Sequence, residues 1–228
     1  MRAMQISIDG GQWEFLQVPL TFSRYGIVDL FAKKNDKTLA ETLQNRRYAH
    51  LSPEVQRRYP SSLNDKLGKF LCELKTRRDS YYLRFLNEDG DSTFCGFSIE
   101  KTQLTERKGV YFLAIADVVK YVGQTHVSFI RRINPGYGHI SPKNCYLDGQ
   151  STNCHVNPRV ARSHNVVALF VCPIEDDSEI DQVEKDLIEQ KCPEWNRYPE
   201  VGTESEGTRA SKWSAGQCRH ASRSVAPR

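Results

Sequence analysis

The 228-residue sequence has no long hydrophobic run, and none of its apolar segments approaches the roughly 20 residues that cross a bilayer. Its first residues, MRAMQISIDGGQWEFLQV, contain no charged segment that leads into an apolar stretch with a small-residue cleavage site. No two of the seven cysteines form a CxxC pair, which argues against a disulfide framework and a zinc ribbon. We therefore expect no membrane role, no secretory signal and a reducing compartment.

The sequence also lacks a large excess of charge of one sign. The chain carries a formal net charge of only +4, with 39% hydrophobic and 26% charged residues, a composition ordinary for a soluble globular protein. So small a charge is weak evidence for an anionic partner. The length allows one decorated domain or two small ones, and composition does not decide between them. The positions of individual charges therefore matter more than their sum.

The first hundred residues alternate strand-like and helix-like patterns without a repeat. WEFLQVPL and YGIVDLF predict short strands, SSLNDKLGKFLCELKTRR has the apolar spacing of a helix, and YYLRFLNEDGDSTFCGFSI predicts a hairpin around a Gly- and Asp-rich turn. We expect an α+β arm over residues 1–104. Three arginine doublets in this arm either face solvent or neutralise phosphates: Arg46–Arg47, Arg57–Arg58 and Arg77–Arg78.

A compact pattern of strands and helices follows over residues 105–197. GVYFLAIA and VVKYVGQT predict two strands joined across Asp117, VSFIRRI a short helix, NVVALFVCPI a buried strand and DSEIDQVEKDLIEQK a helix. Residues 198–228 are rich in Gly, Ser, Arg and Ala and poor in aliphatic residues, so we expect a disordered tail there. The predicted fold class is α+β.

The last predicted helix carries a carboxylate on its apolar side. Ser178, followed three residues later by Asp181, resembles a capping box at its start. At about 100° per residue, Glu184 falls inside the apolar stripe, whereas Lys185 and Glu189 point well away from it. Because a buried carboxylate without a partner costs several kcal/mol, Glu184 should meet a metal, a proton or a cation such as a nearby arginine. The stripe consists of Ile180, Val183, Leu187 and Ile188.

Two tyrosines on the predicted strands, Tyr111 and Tyr121, each lie near a glycine, and Lys120 precedes the second. A tyrosine in a strand is most often a packing residue with a solvated hydroxyl. In the short helix, Arg131 points nearly opposite to the apolar side, and Arg132 lies at its edge, where it either lines a cleft or ends in solvent. Each of these features is ambiguous by itself.

Together they resemble the GIY-YIG endonuclease family, whose pattern is a GIY strand, a YIG strand, and then an arginine, a glutamate and an asparagine on later elements. The run RINPGYGHISPKNCYLDGQSTNCHVN further resembles the type II restriction endonuclease branch of that family. The resemblance covers Lys108 to Arg197, and valine replaces the isoleucine of both motifs. The matching residues, in order, are Tyr111 in GVY, Tyr121 in YVG, Arg132 in SFIRRI, Glu184 in QVEKDLI and Asn196 in CPEWN.

The resemblance implies a GIY-YIG nuclease core, a short antiparallel sheet flanked by helices, that hydrolyses phosphodiester bonds with one Mg²⁺ per active site. Glu184 is then the metal ligand, because Mg²⁺ prefers oxygen ligands. Arg132 contacts the scissile phosphate and offsets charge that develops in the transition state. Arg131 competes for this role, and we prefer Arg132 for its position at the edge of the apolar side and directly before INPGYG.

In the same interpretation Tyr111 takes a proton from the attacking water and Tyr121 has a positioning role. A phenol with a pKa of about 10 is ionised only about one part in a thousand at pH 7, so it needs help from a neighbouring cation, for which Lys120 is the candidate. In a regular strand Lys120 and Tyr121 point to opposite faces. We therefore expect a twist or bulge in this strand if both residues reach the site.

The run from Gly136 to Asn157 contains polar residues among glycines and a proline, and we predict that it is a loop in contact with DNA. An ordinary polar loop is the alternative, and a zinc site of Cys145, Cys154 and His155 is a third option whose spacing fits no common finger. The predicted DNA-binding residues are Tyr137, His139, Lys143, Asn144, Gln150, Asn153 and His155, together with Arg131 and Asn196.

The expected function is that of a Mg²⁺-dependent, sequence-specific type II restriction endonuclease that cuts double-stranded DNA in the bacterial cytoplasm. The arm would then contribute to DNA binding and specificity. Recognition of a palindrome calls for a two-fold homodimer. The alternatives are a GIY-YIG repair or homing nuclease and a DNA-binding protein without catalysis.

Overall fold

The computed structural model describes residues 2–198. The predicted disordered tail lies outside the described residues except for Tyr198. Over the described residues, no helix has the length and apolar character needed to cross a bilayer. The mixture of strands and helices confirms the predicted α+β class.

The described part of the chain alternates strands with short helices. The strands are β1 (Ala3–Ile8), β2 (Gly11–Val18), β3 (Thr21–Ile27), β4 (Phe94–Ser98), β5 (Gly109–Ile115), β6 (Val118–Thr125) and β7 (Val167–Pro173). The α-helices are α1 (Leu39–Leu43), α2 (Ser52–Arg58), α3 (Leu67–Thr76), α4 (Phe129–Arg132), α5 (Ser151–Arg162) and α6 (Asp177–Lys191). Short 3₁₀ helices include Ser80–Phe85 and Pro142–Cys145, and a π-helical turn, Ile133–Tyr137, follows α4.

The chain divides into two compact units. Over the described residues, the first consists of 2–19, 101–129 and 166–198, and the second of Leu20–Glu100 and Ile130–Asn165. This division corrects the predicted boundary at residue 104. Strands β1 and β2 belong to the sheet of the predicted nuclease core, and residues 130–165 belong to the other unit. The pairing of β2 with β7 joins segments far apart in sequence, which local patterns do not reveal.

The first unit is built on an antiparallel five-stranded sheet with the spatial order β1-β2-β7-β5-β6. Helix α6 covers one face of this sheet, where Ile180, Val183 and Leu187 share a core with Phe112 and Phe170. The helix spans the residues that its apolar period predicts. Its N-cap is different from the prediction.

The residue that caps α6 is Asp176 rather than Ser178. One Asp176 oxygen accepts the backbone N–H groups of Ser178 and Glu179, at 2.9 and 3.0 Å. The same oxygen accepts the Ser178 hydroxyl. Two of the backbone donors that a helix start leaves unpaired are satisfied in this way.

The second unit contains the two-stranded antiparallel sheet β3–β4 and a separate core around α3. The predicted hairpin over YYLRFLNEDGDSTFCGFSI is wrong, because its first half forms the 3₁₀ helix Ser80–Phe85. This helix places the Phe85 ring edge-on against Phe70 and Tyr81, with centroids 6.3 and 6.1 Å apart. Burial of these rings in the core therefore outweighs their strand propensity.

Candidate active site

Tyr111 and Tyr121 lie side by side on one face of the first unit's sheet. Tyr111 of β5 is opposite Gly123 of β6, and Leu113 is opposite Tyr121, so these four residues project to the same side. The two phenol rings are 6.5 Å apart between centroids, at an interplanar angle of 39°. Phe129 packs edge-on against Tyr111, with a centroid distance of 6.4 Å. The predicted pair of tyrosines is thus a physical neighbour pair.

The glycines beside the tyrosines are required by close approach. A Cβ atom on Gly123 would lie 2.5 Å from the Tyr111 hydroxyl oxygen. Gly109 has a φ of 144°, and a Cβ there would lie 2.1 Å from the carbonyl oxygen of Cys172 in β7. Gly109 therefore lets β5 approach β7, and Gly123 leaves room for the Tyr111 side chain.

Lys120 occupies a β-bulge. Tyr121 pairs with Leu113 and Val119 pairs with Ala114, so Lys120 has no residue opposite it. A bulge re-aims the side chains of a strand, and the predicted irregularity between Lys120 and Tyr121 is confirmed. The Lys120 ammonium forms an ion pair with Glu194, with Nζ 2.7 Å from Oε2. Glu194 is not among the residues that the sequence predicts for the site. Its only signal in the sequence is that it directly precedes Trp195 and Asn196.

The segment after α6 covers the outer edge of β6. The backbone N–H of Trp195 donates to the Lys120 carbonyl at 2.7 Å. The Asn196 side chain bonds both backbone groups of Val122, accepting its N–H at 2.8 Å and donating to its carbonyl at 2.9 Å. A strand edge with exposed backbone groups is otherwise open to foreign pairing. The structure gives Asn196 this structural role, and its predicted contact with DNA stays a prediction.

Glu184 lies on α6 at the margin of the buried stripe, half-buried, while Lys185 and Glu189 are exposed, as the helical wheel predicts. The stripe itself packs on the face of the sheet that carries Phe112, opposite to the face of Tyr111 and Tyr121. Over residues 2–198, no group of three or more His, Cys, Asp or Glu side chains could hold a metal. A lone carboxylate still fits Mg²⁺, which is commonly held by one or two carboxylates, waters and substrate phosphates.

The two arginines lie in the second unit and differ as predicted, since Arg131 is exposed and Arg132 half-buried. Arg132 donates from Nη2 to the Tyr137 hydroxyl at 2.7 Å, and its guanidinium carbon lies 4.7 Å from the centre of the Tyr137 ring. Tyr137 itself is only 1% exposed. In this structure the Tyr137 ring is covered and holds the Arg132 side chain, and its predicted contact with DNA stays a prediction.

The predicted loop between Gly136 and Asn157 is largely ordered secondary structure, because Ser151–Arg162 forms α5. Asn144, Asn153 and His155 are buried, and their predicted contacts with DNA stay predictions. Asn144 accepts the backbone N–H of Ser141 at 2.8 Å, and Asn153 donates to the Gln150 side chain at 3.1 Å. The remaining predicted contacts are exposed and accessible to a ligand: His139, Lys143 and Gln150.

His155 belongs to a buried polar cluster in the second unit. Its Nδ1 lies 2.8 Å from one oxygen of Asp89, and the other oxygen accepts from Arg159 at 3.0 Å. Burial raises the pKa of Asp89, but hydrogen bonds from His155 and Arg159 outweigh it and hold that pKa below its ordinary value. The zinc alternative is not supported, since Cys145, Cys154 and His155 do not form a group that could hold a metal.

No family model matches the chain, and comparisons with curated proteins and with solved structures find no significant match. A functional assignment therefore has to be argued from the residues and their geometry.

Proposed function

We propose that the chain is a Mg²⁺-dependent DNA endonuclease of the GIY-YIG type, a sequence-specific restriction enzyme of the bacterial cytoplasm. The observation that carries the proposal is the arrangement of Tyr111 and Tyr121 on adjacent antiparallel strands, with Gly123 beneath one phenol. A packing role alone does not require a bulge that presents Lys120 beside Tyr121. The resemblance of motifs and the arrangement of Tyr111, Tyr121 and Lys120 thus support the same assignment for these three residues.

The chemistry assigned to the tyrosines is proton transfer. Tyr111 accepts a proton from the attacking water, and Lys120 favours the phenolate by its charge. The ion pair with Glu194 reduces this charge at the phenol. Tyr121 positions the water. Tyr111 is fully buried and Tyr121 is 8% exposed. Exposure therefore favours Tyr121 as the proton acceptor, whereas the resemblance favours Tyr111. Variants of both residues distinguish the two assignments.

The resemblance also assigns roles to two charged residues. Glu184 would hold Mg²⁺ together with waters and the substrate phosphate, and the metal would supply positive charge against the leaving oxygen. Arg132 would contact the scissile phosphate with its planar guanidinium, which stays charged at any working pH. The Tyr137 contact would keep this side chain from sampling other rotamers before DNA binds.

The test is cleavage of supercoiled plasmid in Mg²⁺ by the full chain and by two variants of α6. We expect Glu184→Ala to lose cleavage and to keep DNA binding, since the phosphate-contacting cations remain. Glu189→Ala removes an exposed carboxylate from the same helix and should cut at the wild-type rate. A Glu184→Ala protein that cuts normally would remove the metal assignment, and a wild-type chain that never nicks DNA in Mg²⁺ would leave a non-catalytic DNA-binding protein.

We propose further that the active enzyme is a homodimer, because two strands of a palindrome need two active sites related by a two-fold axis. Short duplexes that carry one palindrome distinguish this enzyme from a repair or homing nuclease. Both strands should be cut at symmetric positions, and light scattering on the DNA complex should give the mass of two chains per duplex. A single chain per duplex, or cutting that follows DNA structure, would contradict the restriction assignment.

A further inference from the structure

The strand β3 of the second unit presents an unusual run of exposed residues. Within the part of the chain that the structure describes, it pairs only with β4 in a two-stranded sheet, and its register shifts twice, between Phe22 and Arg24 and between Arg24 and Ile27. Residues 23–26 are consequently all exposed instead of alternating between two faces. Bulges on an edge strand re-aim side chains and discourage pairing with another strand. This edge is therefore shaped for something other than a further strand.

A groove runs beside this strand. Its volume is about 670 Å³, and Arg24, Lys33 and His139 line it together with Gly26 and Gly96. The two glycines contribute no side chain to its wall. A smaller hollow of about 400 Å³ shares Lys33 and continues to Lys34 and Lys143. Five basic side chains therefore line two hollows of the second unit that share Lys33 and Pro142, and Asp36 also lines the smaller one.

The charges of this groove are incompletely neutralised. Among residues 2–198, no carboxylate forms an ion pair with Arg24 or Lys33. Lys34 is paired with Asp36, at 2.7 Å, and Lys143 lies 3.8 Å from Asp148. Other cations of the same unit have carboxylate partners, among them Lys75 with Asp29 and Asp91, Arg84 with Glu54, and Arg58 with Glu54 and Asp79. An uncompensated pair of cations in a groove is complementary to a polyanion.

An aromatic side chain stands at the edge of the groove. Tyr25 is 58% exposed. Its ring packs against His164 and Phe22, with centroids 4.9 and 5.7 Å away. These contacts fix the ring while its hydroxyl stays accessible, and tyrosine hydroxyls are common donors to phosphate and sugar oxygens.

We propose that this groove binds the phosphate backbone of duplex DNA, with Arg24 and Lys33 neutralising phosphates and the β3–β4 ribbon facing the major groove. A two-stranded ribbon has the width that the major groove admits. The inference rests on the proposed nuclease function and adds to it the surface by which the second unit holds its substrate. The two cations in this proposal, Arg24 and Lys33, belong to the predicted arm but lie in none of its three arginine doublets.

The test is the salt dependence of binding to a short duplex without divalent metal, so that no cleavage occurs. Each phosphate contact contributes about 0.9 to the slope of log K against log salt concentration. The double variant Arg24→Ala/Lys33→Ala should therefore lower the slope by about two and weaken binding. The charge-conserving double variant Arg24→Lys/Lys33→Arg should keep the wild-type slope, because both positions still carry a positive charge.

The matched control is Lys66→Ala/Lys69→Ala, which removes the same charge from two exposed side chains of this unit that lie outside the groove and outside the arginine doublets. It should keep the wild-type slope. Circular dichroism and thermal melting confirm that each variant is folded. If the groove variant binds like the wild type, the groove inference is overturned while the nuclease proposal stands. If the wild type neither binds nor nicks DNA, the proposed function fails and this inference fails with it.

Discussion

The hydroxyl group of Tyr111 lies over Gly123 of the neighbouring strand, so that a single added methyl group at position 123 would stand 2.5 Å from the hydroxyl oxygen. This distance shows that Tyr111 and Gly123 constrain one another across the two strands. The glycine of YVG supplies the space into which the tyrosine of GVY extends. The position of the phenol is therefore determined by its partner strand as much as by its own.

The first prediction follows from this contact. Gly123→Ala should destabilise the protein by about 1–3 kcal/mol, the usual cost of overpacking a buried site, and should reduce cleavage by moving the Tyr111 hydroxyl. Urea unfolding and plasmid cleavage measure the two effects. Gly136→Ala is the control for stability, because the nearest atom to its Cβ would be Asn153 Oδ1 at 3.9 Å. Equal stability of the two variants would show that the sheet relaxes around the methyl group.

The sequence predicts best those elements that are specified by a regular spacing of apolar residues within one segment. Helix α6 spans the predicted residues because its apolar stripe and polar flank agree over four turns. Strands β5 and β6 were predicted for a similar reason, including the irregularity at Lys120. What local patterns do not contain is partner choice, and for this reason the pairing of β2 with β7 was not foreseen.

The candidate site shows the same division between local and remote information. His155 and Asn153 have the composition of a loop, yet they are buried on α5, because His155 meets Asp89, a residue 66 positions away. Polar side chains can be buried when a remote group completes their hydrogen bonds. Neither composition nor spacing identifies that remote group, so the prediction of a loop was wrong for these residues.

The second prediction separates the two arginines. Arg132→Ala should slow single-turnover cleavage at least a hundredfold, roughly the effect of removing one transition-state donor, and Arg131→Ala should have a much smaller effect. Tyr137→Phe is a variant intermediate between the wild type and Arg132→Ala. It keeps the ring beneath the guanidinium and removes the hydroxyl that Arg132 contacts. A larger effect for Arg131 would show that the exposed arginine has the catalytic role.

The third prediction concerns the buried cluster around Asp89. Because the pKa of Asp89 is lowered in the folded state, its contribution to stability is present above the unfolded value of about 3.8 and is lost as pH falls through the folded value. Asp89→Asn should cost about 3–5 kcal/mol at pH 7, since it removes the buried carboxylate that holds the His155 ring and the Arg159 guanidinium. The loss should shrink at pH 3.

Urea unfolding at both pH values measures this difference. Asp36→Asn provides the comparison, because that carboxylate is exposed and pairs with Lys34 at the surface, so its loss should cost less than about 1 kcal/mol. A cost for Asp89→Asn that stays constant down to pH 3 would contradict the role of its ionised form.

The fourth prediction addresses Asn196. If its side chain serves mainly to cover β6, Asn196→Ala should destabilise the protein by about 1–3 kcal/mol, because the N–H and carbonyl of Val122 lose their partner. DNA affinity of the folded fraction should then be unchanged at low temperature. Weaker DNA binding with full stability would instead support the contact with DNA that the sequence predicts.

The last prediction concerns the acid–base roles of the two tyrosines. Tyr111→Phe removes the proton acceptor and keeps the ring that packs against Phe129, so folding should survive and turnover should not. Tyr121→Phe should cost less. Single-turnover cleavage and circular dichroism measure both properties. A well-folded Tyr111→Phe enzyme that cuts at the wild-type rate would transfer the role of base to another group, with Tyr121 the first candidate because of its greater exposure.

Lys120 and Glu194 allow the same assignment to be tested in two opposite directions. Lys120→Ala removes the cation that favours the phenolate, so the limb of the rate profile that rises with pH should move to higher pH. Glu194→Gln removes the carboxylate 2.7 Å from Lys120 and should move the same limb to lower pH. Rates from pH 6 to about 10 give both shifts. Movement of the two limbs in the same direction, or no movement, would show that Lys120 anchors the edge of β6 and does not act on the tyrosine.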